Sequence, residues 1–82
     1  MNDAIRQIIE VHARLPIDVE TLSTSADLYQ AGMTSHASVN VMLALEDRFA
    51  VEFPDQMLKR SVFESIDAIA AALTELDAKV ST

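Results

Sequence analysis

DLYQAGMTSHASVNVMLALEDRF, residues 27–49, passes from polar and small residues around Gly32 straight into an apolar run. With successive residues about 100° apart from Ser35 onward, Ser38, Val41, Met42, Leu45 and Phe49 gather within an arc of about 100°, the stripe by which an amphipathic helix buries itself. The stretch therefore predicts a helix from about Ser35 to Phe49, reached from a loop and ended by the β-favouring AVEFP, residues 50–54, with Pro54. Val39 and Leu43 fall on another side, with His36, Asn40 and Asp47, and are expected to be exposed. Two scattered surface aliphatics need no explanation. Read functionally, they form a docking strip beside the helix N-terminus.

Outward from this helix the pattern repeats. Ile5, Ile8, Ile9 and His12 follow an i, i+3, i+4, i+7 spacing, which predicts a first helix over residues 2–14 with Asn2 or Asp3 as cap, Pro16 as stop and a packed His12. Residues 15–34 read as a long loop pinned by Ile17, Val19, Leu22, Leu28 and Met33; loops of that length inside a compact domain are often functional. Residues 55–60 read as a single short helical turn. SIDAIAAALTELDAKV, residues 65–80, supplies the last helix, with Ser65 as N-cap and Ile66, Ile69, Ala70, Leu73 and Leu76 on one stripe. The expected fold is all-α, a small antiparallel bundle of three longer helices plus one short helix, forming a single domain over residues 1–82.

Composition agrees. Half of the 82 residues are apolar but only four are aromatic, with one Gly and two Pro, which suits short helices packed by aliphatic side chains better than a turn-rich sheet. Thirteen acidic against six basic residues, a formal charge of −7, argue against nucleic acid and for a basic protein partner. Cysteine is absent, which removes disulfides and thiolate metal sites and means that any thiol chemistry must come on a cofactor. MNDAIRQIIEV, residues 1–11, lacks the basic start and apolar core of a signal segment, and no apolar run nears the roughly 18 residues of a membrane helix. A cytoplasmic monomer with no membrane contact is expected.

Thr34, Ser35 and His36 stand where the loop becomes a helix, and several chemistries compete for them. A Ser35–His36 catalytic pair fails, because adjacent helical side chains do not face each other and a nucleophile needs its base within hydrogen-bond reach. A calcium loop starting at Asp27 fails too: Gly32 suits its sixth position, but Tyr29, Ala31 and Ser38 stand where oxygen ligands belong. Two histidines without thiols or convergent carboxylates offer no zinc site, so neither catalytic nor metal-ligating residues are assigned. Ser35 or Thr34 can serve as the N-cap. A helix N-terminus is equally where a phosphate sits well, on free N–H groups and the positive end of the dipole, so a phosphodiester-linked Ser35 is also physically sensible.

Residues 27–55, DLYQAGMTSHASVNVMLALEDRFAVEFPD, followed by SVFESIDAIAAAL, residues 61–73, resemble an acyl carrier or peptidyl carrier protein. That family shares an Asp-Leu, a Gly, a Ser opening the second helix, an LE..F..EFP segment and a helix-capping F.S...A segment. The resemblance implies that Ser35 bears a covalent 4′-phosphopantetheine arm drawn from coenzyme A by a phosphopantetheinyl transferase. It also implies a carrier rather than an enzyme, holding cargo as a thioester for partners to act upon.

The chain departs from the usual DSL at the attachment site. Thr34 replaces the acid, His36 the apolar residue, and Ala37 and Asn40 stand where fatty-acid carriers tend to have acids, leaving Glu46 and Asp47 beside Arg48. Partners offering basic patches should dock less well. GMTSHASV, residues 32–39, is similar to bacterial free-standing aminoacyl carrier proteins, whose ligases resemble the catalytic core of seryl-tRNA synthetases. The expectation is an aminoacyl carrier for a small amino acid such as glycine or alanine, gripped by its ligase at His36, Val39, Asn40 and Leu43 and unloaded by a downstream acceptor enzyme. The alternatives are an acyl carrier for fatty-acid, polyketide or nonribosomal peptide synthesis, and a helical adaptor without a prosthetic group.

Overall fold

The computed structural model describes residues 2–80. Four helices follow in order: α1 (Asn2–His12), α2 (Ser35–Phe49), α3 (Arg60–Phe63) and α4 (Ile66–Val80), with 3-10 turns at Val19–Thr21 and Asp55–Met57. The described residues contain no strand. Three longer helices and a short one thus form the all-α architecture that the periodicity predicts.

The apolar stripes meet in one core, in which Ile5, Ile9, Leu28, Val41, Leu45, Ile66, Ile69 and Leu73 are almost wholly buried. At Ser65 the hydroxyl accepts from the Ala68 N–H at 3.0 Å and caps α4 as its position predicts. His12 is a correction. α1 ends there, Arg14 turns the chain into the left-handed region at φ 51°, and the last buried place on this face goes to Ala13, whose N–H donates to the Ile9 carbonyl. His12 is left exposed.

The long loop is held from both sides. Val19, Leu28 and Met33 are buried and Leu22 half-buried, whereas Ile17, expected as a pin, is exposed. Arg6 donates from α1 to the Val19 carbonyl at 2.7 Å. The Leu28 N–H donates to the Glu64 carbonyl at 2.7 Å, and the Asp67 N–H to the Thr24 carbonyl at 2.9 Å, which stitches the loop to the α3–α4 junction.

Residues 55–60 differ from the expected single turn. Met57 and Phe63 are both buried, but no single helical turn carries the two of them. The chain breaks instead at an extended Lys59 (φ −143°, ψ 158°) and restarts as α3, where Phe63 meets Phe53 edge to face at 5.2 Å between ring centres. Glu46, one of the acids that α2 keeps, has a structural part. Its carboxylate accepts the Phe53 N–H at 2.8 Å and holds the segment that follows α2, which closes at a left-handed Ala50. Among the described residues no helix is long and apolar enough to cross a membrane, and no three His, Cys, Asp or Glu side chains cluster as metal ligands.

Candidate functional site

The segment before α2 is built to deliver the helix start to the surface. Asp27 accepts through Oδ1 from the N–H groups of Tyr29 (2.9 Å) and Gln30 (3.3 Å), a side chain closing its own turn. Leu28 beside it is fully buried. Gly32 has φ +122°, and a Cβ there would lie 2.8 Å from Cδ of Pro16, so both backbone and space demand glycine. Met33 then returns to the core, its N–H donating to the Leu28 carbonyl at 3.0 Å.

Thr34 and Ser35 divide the two uses that the sequence leaves open. Thr34 is extended (φ −82°, ψ 163°), and its Oγ1 accepts the Ala37 N–H at 3.0 Å, so Thr34 is the N-cap. Ser35 is the first helical residue, exposed, and its carbonyl accepts from the Ser38 hydroxyl at 2.7 Å. No described group engages the Ser35 hydroxyl. It stands at a helix start whose first N–H groups have no intrahelical acceptor and whose dipole favours an anion, so a phosphodiester on this oxygen fits without displacing a cap.

His36, Val39, Asn40 and Leu43 are all exposed, Val39 at 49% and Leu43 at 53%, along one side of α2. Two clefts flank the helix start. One, of about 360 Å³, runs from Ser35 along Val39 and Met42 to Leu58, Lys59, Arg60 and Phe63, with Tyr29 at its side. The other, of about 440 Å³, brings both histidines, His12 and His36, together with Arg14, Thr34 and Asn40. Tyr29, Lys59 and Arg60 are lining residues that sequence reasoning missed. The available signal was Lys59–Arg60, the one adjacent pair of basic residues in an acidic chain.

Comparison with known proteins gives a concordant picture. Residues 3–73 match the family described as phosphopantetheine attachment site. An aminoacyl carrier protein from Agrobacterium fabrum is 49% identical over 69 residues, covering 84% of this chain and 83% of the relative. Among solved structures, the fold matches the Agrobacterium tumefaciens carrier protein in complex with an engineered Bradyrhizobium japonicum glycine:[carrier protein] ligase and AMP. That match has a TM-score of 0.88 and 46% identity, and covers 90% of this chain and 99% of that one. A solution structure from Agrobacterium tumefaciens matches over the whole of both chains, with a TM-score of 0.75 and 44% identity.

Proposed function

The chain belongs to the phosphopantetheine-attachment family, and we propose that Ser35 bears the arm and that the cargo is a small amino acid, glycine first among the candidates. It is an aminoacyl carrier. The arm supplies the thiol that this Cys-free chain lacks, and that thiol holds the aminoacyl group as a thioester. The observation that carries Ser35 is the division of labour at the helix start: Thr34 caps, so the neighbouring hydroxyl is free to react.

In the attachment step the Ser35 oxygen attacks the phosphorus that bears pantetheine in coenzyme A. A phosphodiester bond forms, the diphosphate bond breaks, adenosine 3′,5′-bisphosphate leaves, and the serine proton passes to a base of the transferase. Thereafter this chain binds and presents, and the reactions at the thioester fall to partner enzymes in the cytoplasm. The partner surface in this reading is His36, Val39, Asn40 and Leu43, where a ligase related to a seryl-tRNA synthetase core gains apolar anchors beside the arm. The likeness to a carrier solved with a glycine:[carrier protein] ligase supports this choice of partner over a fatty-acid synthase.

The test is intact and peptide mass. The apo protein is treated with coenzyme A and a transferase, then with glycine, ATP and a glycine:[carrier protein] ligase. One phosphopantetheinyl adduct on Ser35, followed by a glycyl adduct labile to hydroxylamine, is expected, and Ser35→Ala should take neither. An adduct on Ser23, Ser25 or Ser38 overturns the site, and a holo protein that the ligase leaves uncharged overturns the cargo.

A further inference from the structure

We propose that Arg60, seconded by Lys59, is a positioning site for the phosphodiester of the arm, which rests on Ser35 as its point of attachment. The cavity that Ser35 lines is bordered by both cations and by no carboxylate, in a chain where acids outnumber bases by more than two to one. What sets Arg60 apart is its place, on the rim of the cavity that Ser35 lines and over an aromatic ring.

The guanidinium is already oriented. Its carbon lies over the Tyr29 ring, 4.3 Å from its centre, a cation–π contact. A contact through the ring's π face uses no hydrogen-bond acceptor, so the N–H donors of the guanidinium are not consumed by it. No described group accepts from them. Tyr29 is itself fixed, its N–H held by Asp27 and its neighbour Leu28 buried and bonded to Glu64. Lys59 sits in the extended link between buried Met57 and buried Phe63, which sets its backbone at the cavity rim. A phosphodiester carries one negative charge and two non-bridging oxygens, the pattern a guanidinium edge binds in bidentate fashion. An arm rooted on Ser35 would be drawn toward the cleft between α2 and residues 58–63, away from the histidine cleft on the other side.

Phosphorus NMR of the holo protein reads this directly, together with the Arg60 Nε–H resonance in apo and holo samples. The Arg60 resonance should move on conversion to holo. The phosphorus resonance of the folded protein should be displaced from its position in urea, and Lys59→Gln/Arg60→Gln should lose most of that displacement and give a narrower line. Arg60→Lys, which keeps charge but not the fork, should retain only part of it. Both side chains are exposed, so these variants should lose no more than the weak contact of Arg60 with Tyr29 and keep melting curves close to the parent's. An unmoved Arg60 resonance in the parent protein, or the same phosphorus signal with and without the two cations, overturns the proposal while leaving Ser35 modified. Failure to form the Ser35 adduct at all overturns both readings. Coenzyme A added to the apo protein without transferase should leave Arg60 nearly unmoved; a shift as large as in the holo form would assign the pair to the donor and overturn its assignment to the arm.

Discussion

Val41 and Leu45 are wholly buried, whereas Val39 and Leu43, the same residue types two positions earlier on the same helix, leave about half of their surface in solvent. Two residues turn a helix by about 200°, so the opposition is a matter of phase alone. What differs is the neighbour. One face meets the core formed with α1 and α4, and the other stays half exposed, outside the core of the described residues. α2 therefore has one face that makes the fold and another that is free for a partner, and the start of the helix, with Ser35, lies between them.

The sharpest way to break that comparison is to truncate both leucines. Leu45→Ala removes a fully buried side chain and should cost about 2 to 5 kcal/mol in a urea melt, a large share of the stability of a domain this size. Leu43→Ala, half exposed, should cost under about 0.5 kcal/mol. Equal losses would mean that the two faces do not divide the work.

This division was legible in the sequence because phase is a local property. The limits of α2, Ser35 to Phe49, and its exposed Val39 and Leu43 follow from periodicity and from the polar segment before it. The stripe of α4 was legible for the same reason. The break at Lys59 was not, since it lies between two buried residues, Met57 and Phe63, whose places depend on a core assembled from distant segments. His12 misled because an i+7 position reads as buried only if the helix continues, and α1 stops at it. The cationic edge showed only as the Lys59–Arg60 pair, because Tyr29 and Arg60 belong to different segments and only the folded chain brings one over the other. The acid at Glu46 looked like surface charge, because nothing local announces that its partner is the Phe53 amide.

A smaller effect sharpens the contrast at the helix start, where adjacent hydroxyls have different work. Thr34→Ala leaves the Ala37 N–H without its acceptor and should cost about 0.5 to 2 kcal/mol. Ser35→Ala deletes a hydroxyl that caps nothing and should cost under about 0.5 kcal/mol while abolishing modification. Thermal or urea melts of the two apo variants, run beside transferase assays, separate the roles. A Ser35→Ala loss as large as that of Thr34→Ala would place the cap on the wrong residue.

The smallest effect on stability belongs to the outward face, and there the expected loss is in transfer. A ligase must hold the carrier while the arm reaches its active site, and exposed Val39 and Leu43 at i, i+4 offer adjoining apolar anchors beside His36, Ala37 and Asn40, with Asp47 one turn further from the arm. Val39→Ala and Leu43→Ala should each weaken charging of the holo protein by the ligase by about 1 kcal/mol or more in kcat/KM, with melting curves nearly superimposed on the parent's. Because apolar contact rather than ion pairing would carry this interface, added salt should change charging less than it does for a carrier with an acidic second helix. Replacing Ala37 and Asn40 by Glu should impair the ligase and favour an enzyme with a basic docking patch, since specificity is a difference between affinities. If both alanine variants are charged at the parental rate, the outward face is ordinary surface and the ligase grips the carrier elsewhere.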